Sequence, residues 1–240
     1  MSAPTLEAVL GVQAVDTDLD QHRHRRTVLP EKLAAAELAR RVVVLDAERV
    51  DAEVPVRDLS SRQDALEADL AAAEARIAAV NKRLYGGEVS ASRDLQAMTA
   101  EVKALEARRS DLEDRILELM DEREPHDQRL ADLGAARMAA RGDGELLATR
   151  IADLEQAIDA EIAELAERRM ALAARVPADL LVVYEKLRVR GGGVGAARLV
   201  GSICGGCHLV LPSGDVDRLR HLPADAVAFC EECGRILVRS

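Results

Sequence analysis

The residues best equipped for chemistry in this sequence are four cysteines, in two pairs near its C-terminal end: Cys204-Gly205-Gly206-Cys207 and Cys230-Glu231-Glu232-Cys233-Gly234. A two-residue spacer lets one tight turn aim two sulfurs at a single ion, and zinc takes four such soft ligands in a tetrahedron. Glycines at 205, 206 and 234 suit backbone that passes close to a metal and turns through positive φ. The separation of the pairs is near the usual one for paired knuckles. One Zn2+ per chain is therefore expected on Cys204, Cys207, Cys230 and Cys233; a redox pair or another metal is what the same residues would otherwise serve. With all four positions taken by sulfur, no place remains for a reacting water, so the ion is expected to be structural. His208 is surplus to the tetrahedron and reads as a surface or supporting residue.

No catalytic residue is assigned elsewhere, and no small-molecule substrate is expected. A Ser/His/Asp set, an open metal site or a pocketed carboxylate pair cannot be recognised. The run Gly191-Gly192-Gly193-Val194-Gly195 is followed by Ala196-Ala197-Arg198. A phosphate loop would place Lys and then Ser or Thr there, so the run reads as a flexible joint. His22 and His24 are two apart and diverge on a helix, which makes them a poor metal pair. His126 follows Pro125 and has no evident partner.

The elements that must carry the cysteines follow from composition and periodicity. Among 240 residues there are two Tyr, one Phe and no Trp, while 32% are charged. That balance suits long exposed helices that bury a narrow seam, not a large compact core. Heptad spacing runs through Leu59, Gln63, Leu66, Leu70, Ala73, Ile77, Val80 and Leu84, and again from Leu95 through Met98, Val102, Leu105, Arg109, Leu112, Ile116 and Leu119. A third seam, Leu147 to Leu172, is polar at Glu161 and Arg168. A looser one starts at Val12 and passes Val15, Leu19, His22, Arg26 and Leu29 to Leu33.

Between the first two seams lies Tyr85-Gly86-Gly87-Glu88-Val89-Ser90-Ala91-Ser92. Paired glycines stop a helix, and Ser92 suits the cap of the next. The fold class expected is mainly α: a long antiparallel coiled-coil hairpin with a small C-terminal β zinc ribbon. Residue i should face residue 176 minus i if the tip lies near Glu88. Pro55 then falls near the level of Pro125, and Pro30 near Gly142 and Gly144, so both arms are expected to bend or break together at two levels. A rod on the order of 110 Å follows from about 1.5 Å per helical residue.

The domain limits read as 1–174 for the hairpin, with its tip at 85–92, 175–197 for a connecting helix leading away from the arm and the Gly-rich joint, and 198–240 for the ribbon. Leu209-Val210-Leu211 and Arg235-Ile236-Leu237-Val238 look like short strands. Without zinc, so small a ribbon, with Phe229 as its only aromatic, buries too little to fold. Hairpin and ribbon are expected to bury separate cores.

Charge narrows the partners. Residues 1–174 hold 24 of the 33 basic and 36 of the 43 acidic residues, which leaves 9 and 7 for the tail. An acidic arm repels nucleic acid, so phosphate contact would fall to Arg188, Arg190 and Arg198 beside the glycine run. The four thiolates with one dication make the tail more negative again. Tyr85, with Glu88 and Val89, is the candidate protein-binding tip, the alternative being that Tyr85 packs over its own turn. No long apolar run and no signal-peptide pattern occur, so no membrane contact and a cytoplasmic, reducing location are expected, where paired cysteines favour metal over disulfide.

With these residues in view the sequence resembles the bacterial family of long coiled-coil hairpins followed by a C4-type zinc ribbon. The resemblance rests on Leu6 to Asp20 with Gln13 and Asp16, Leu29-Pro30, Leu84-Tyr85-Gly86 with Glu88-Val89 and Asp94-Leu95, Tyr184, Cys204 to His208, Leu211-Pro212, and Cys230 to Leu237. Family members often carry Pro and Asn between the second pair of cysteines, where Glu231-Glu232 stand here and make that knuckle acidic. The resemblance implies a non-enzymatic adaptor or chaperone-like protein, in a family connected with flagellar and secretion partners and with proposed nucleic-acid binding. The leading expectation is a scaffold whose arm and ribbon engage protein partners of unknown identity; the second is weak nucleic-acid binding along the basic edge of the ribbon region.

Overall fold

The structure, a computed structural model, describes residues 3–87, 91–223 and 226–239. Five helices and four short strands follow in the order α1 (Ala3–Thr27), α2 (Pro30–Tyr85), α3 (Ser92–Ala173), α4 (Ala178–Arg190), β1 (Ala196–Val200), β2 (Ile203–Cys204), α5 (Ser213–His221), β3 (Ala228–Phe229) and β4 (Ile236–Val238). Two compact units result. One takes Met1–Leu33 with Leu147–Ser240, the other Ala34–Leu146.

The second unit is a two-helix coiled coil. Leu45 of α2 meets Leu133 and Ala140 of α3, with Leu38, Val42 and Ala52 packed beside them. Toward the helix ends, Leu59, Ala73 and Val80 on α2 and Met98, Leu112 and Leu119 on α3 are buried. Each is a predicted seam residue, whereas the polar seam position Arg109 is exposed. A strip of apolar side chains at heptad spacing is all these helices withdraw from water. Ion pairs fix the antiparallel register: Arg76 to Glu101 at 2.6 Å, Asp69 to Arg108 at 3.6 Å and Glu48 to Arg129 at 3.1 Å. Each partner lies one residue from the position expected for a tip at Glu88.

The helix breakers behave differently from expectation. Neither Pro55 nor Pro125 interrupts its helix, and α3 also continues through Gly134, Gly142 and Gly144. An interior proline costs about 3 kcal/mol. Here the seam is packed on both sides of each proline, by the partly buried Ala52 and the buried Leu59 in α2 and by the buried Leu119 and Leu133 in α3, and this packing outweighs local propensity. The break that does form separates α1 from α2 at Val28–Leu29, because Pro30 takes the first helical position and disfavours helical backbone before it. Helix α3 begins on Ser92 itself, so Ala91, whose carbonyl accepts from Asp94 and Leu95, holds the position expected of Ser92.

In the first unit, α1 and α4 pack together with the sheet. The strands form one sheet in the order β2-β1-β4-β3, with β1 parallel to β4 and the two edge pairs antiparallel. Leu6, Val9 and Val12 of α1, Leu180 and Tyr184 of α4, Ala196 of β1 and Ile236 and Val238 of β4 share one core. Helix α4 therefore folds back on α1; it does not lead away from it. The other sheet face covers α5 through Ala197, Leu199, Val216, Leu219 and Leu237, next to Cys204 and Cys230. Residues 209–211 contribute an isolated bridge, Val210 to Ile203, in place of the expected strand.

Candidate metal centre

The two knuckles are built alike. Cys204 lies at the end of β2, and the amide of His208 donates to its carbonyl at 2.8 Å; the amide of Gly234 donates to the carbonyl of Cys230 at 2.8 Å. The residue that closes each turn adopts left-handed backbone, φ 61° at His208 and 71° at Gly234. In the first knuckle the space is tight: a Cβ on Gly206 would come within 2.7 Å of the Arg235 side chain. These turns bring the four sulfurs within 4.8 Å of one another. Cys204 Sγ stands 3.9 Å from Cys233 Sγ, and Cys207 Sγ 3.9 Å from Cys230 Sγ. Tetrahedral zinc with bonds of about 2.3 Å needs sulfurs about 3.8 Å apart, so the residues fit the ion. When bound, zinc would cross-link the knuckles and complete its shell with sulfur alone.

Burial pushes the Cys204 thiol up and the Cys230 thiol up to about 12. Burial opposes ionisation at Cys233 too, but hydrogen bonds from the backbone and side chain of Arg235 prevail and hold it down to about 7. Arg235 has a second task. Its Nε donates to the Val194 carbonyl at 2.9 Å and its Nη2 to the Gly191 carbonyl at 2.7 Å, which ties the second knuckle to the glycine run.

That run is consequently held, contrary to the flexible joint expected. Gln13 of α1 reaches it as well: its Oε1 accepts from the amide of Gly195 at 2.7 Å and of Ala196 at 3.3 Å, and its Nε2 donates to the Gly193 carbonyl at 3.0 Å. A Cβ on Gly195 would lie 2.7 Å from the Tyr184 carbonyl, so glycine is required there for close approach. Below it, Tyr184 is fully buried and donates its hydroxyl to Asp16 Oδ2 at 2.7 Å. Arg169 of α3 donates Nε to Asp16 Oδ1 at 2.6 Å, and Nη2 both to Asp16 Oδ2 at 3.2 Å and to Glu185. The bond to Asp16 is the main reason the Arg169 guanidinium is held above its ordinary value. Burial first, and the bond to Asp16 second, raise the Tyr184 phenol.

The candidate arginines are largely occupied. Arg188 donates to Asp20 Oδ2 at 2.6 Å and lies 3.5 Å from Asp16, while both ends of the Arg198 guanidinium bind Glu7, at 3.1 and 2.7 Å. Only Arg190 of the three is exposed without a described partner. Tyr85 is 83% exposed at the end of α2. Glu88 and Val89 lie outside the described residues. Sequence reasoning missed the hub of Gln13, Asp16, Arg169 and Arg188, which joins residues far apart in the chain. Gln13 and Asp16 entered only through the resemblance, and the one other signal was two polar residues inside the apolar spacing of α1.

Fold and site together define a zinc-ribbon protein built on a coiled-coil hairpin. The chain matches the CT398-like coiled coil hairpin domain over residues 12–192 and the C4-type zinc ribbon domain over residues 203–237, and it belongs to the CT398-like family. It is 28% identical over 239 residues to the uncharacterized protein Rv2229c of Mycobacterium tuberculosis, covering 97% of this chain and 94% of that one. Among solved structures, a protein from Mycobacterium smegmatis is similar over 100% of this chain and 99% of that one, at 29% identity and a TM-score of 0.58. CT398 from Chlamydia trachomatis shares the fold at 21% identity, with a TM-score of 0.52 over 99% of this chain and 98% of that one. No helix among the described residues is long and apolar enough to cross a membrane.

Proposed function

We propose that this protein is a non-enzymatic adaptor of the bacterial cytoplasm, in which the end of the hairpin and the zinc ribbon engage protein partners. The observation that carries this reading is the placement of aromatics. The chain has two Tyr and one Phe; Tyr184 is in the core, while Tyr85 is 83% and Phe229 46% exposed. Aromatic side chains dominate the energetics of protein interfaces, and a chain with so few gains no stability from leaving two of them in water. Phe229 also lies on β3, an edge strand of the sheet, the kind of element to which a partner's extended segment can add.

Capture of cross-linked partners from the native cell, with wild type, Tyr85→Ala and Phe229→Ala side by side, tests the reading. Each substitution should release a partner while the helical spectrum stays unchanged. Retention of every partner by both variants contradicts it. Binding to nucleic acid is the competing reading. It now rests on Arg190, because substituting Arg188 or Arg198 would also remove an ion pair that supports α1. A salt-sensitive affinity for nucleic acid at about 0.15 M salt that Arg190→Ala weakens would favour it over the adaptor.

A further inference from the structure

Helix α2 carries a second heptad stripe on the side that α3 leaves bare. Leu38, Val42, Leu45, Ala52 and Leu59 face the seam. Stepping by four and three along the other side are Ala36, Arg40, Val43, Ala47, Val50 and Val54. All six are exposed, with Val43 at 69%, Val50 at 53% and Val54 at 58%. Isolated apolar residues on a surface need no explanation, but valines repeating at coiled-coil spacing with small residues between them make a continuous seam without a partner. β-Branched residues also lower helix propensity, so three of them facing water cost stability in the lone hairpin.

We propose that this stripe is a self-association surface, on which the α2 helix of a second copy of this chain packs antiparallel. Size and charge both favour a copy. In the antiparallel register Ala36 lies opposite Val54 and Val43 opposite Ala47, so that small residues face large ones in these layers, while the long Arg40 side chain passes beside Val50. Arg40 leans to the same flank of the stripe as Asp51, one residue beyond Val50, and its guanidinium reaches the Asp51 carboxylate of the other copy. Asp51 is exposed and has no ion-pair partner among the described residues, while Arg40 is held only by Glu37, within its own helix. The twofold axis repeats this pair, so one chain supplies both halves of two charge pairs. The stripe includes none of Tyr85, Phe229 and the cysteines, and its test reads self-association alone, so its failure is distinguishable from a failure of the adaptor function.

Sedimentation equilibrium of the full zinc-loaded chain, from about 1 to about 100 µM, tests the proposal. Wild type should show a concentration-dependent dimer. Val50→Lys should raise the dimer dissociation constant at least about tenfold, because it sets a like charge opposite Arg40 of the other copy, and the helical spectrum should not change. Arg40→Asp and Asp51→Arg should each weaken the dimer, and the double variant R40D/D51R should restore it. That reciprocal rescue is specific to an antiparallel copy and decides the matter even if Val50→Lys perturbs folding. A chain that is monomeric throughout, a dimer indifferent to Val50→Lys, or a double variant no better than the singles overturns the proposal. The first of these results leaves the stripe to a different protein.

Discussion

Tyr184 joins the apolar core to the buried polar hub in the unit that holds the ribbon. Its ring belongs to the core shared by α1, α4 and the sheet, and its hydroxyl binds the buried carboxylate of Asp16. A hydrogen bond to a charged group contributes about 1.5 to 3 kcal/mol, so Tyr184→Phe should lower stability by about that much in denaturant titration at neutral pH. The same residue makes stability sensitive to base. Its folded phenol is raised above the ordinary value, so its contribution is complete below the unfolded value of about 10 and is lost as pH rises from there toward the folded value. Wild type should therefore lose stability above about pH 10 more steeply than Tyr184→Phe does. Parallel curves for the two proteins would contradict this role.

At the scale of elements, tertiary packing decides against several local signals. Gly134, Gly142 and Gly144 sit inside α3, and a Cβ at any of them would meet nothing within 4 Å. Alanine there restricts the unfolded chain without crowding the folded one. Gly142→Ala and Gly144→Ala should each raise stability by about 0.5 to 1 kcal/mol, read as a shift in the denaturant midpoint. A destabilised variant would mean that the backbone at these positions departs from the helix described.

The same contrast explains what the sequence makes legible. The heptads name the buried residues of the distal hairpin, since Leu59, Ala73, Val80, Met98, Leu112 and Leu119 all follow from spacing. The paired cysteines disclose the metal centre because each knuckle is local. Continuity through Pro55 and Pro125 is not legible, because the packing that offsets their cost comes from the opposite helix. The held glycine run is equally opaque, since its partners Gln13 and Arg235 lie far from it in the chain. Helix α5, with its Pro212 entry and only Val216 and Leu219 buried, is too short to show a period.

For the whole molecule, zinc matters beyond the ribbon. Ile236 and Val238 of β4 share a core with α1 and α4, so hairpin base and ribbon do not bury separate cores as expected. Removing the metal should unfold the strands and also loosen what packs on them. Hydrogen exchange after chelation is expected to show lost protection over 196–239 and also over α1 and α4, with residues 34–79 and 98–146 of the other unit unchanged. Protection lost from the strands alone would show that the shared core is dispensable.

With four sulfurs gathered around one position, the zinc is closed and structural, with no place for a reacting water. X-ray absorption at the zinc edge of freshly purified protein tests it most directly. The expected result is one zinc per chain with four sulfur neighbours at about 2.3 Å and no lighter ligand. A nitrogen or oxygen atom in the first shell, or a shell of fewer than four sulfurs, would contradict it by leaving a coordination position open to water or substrate.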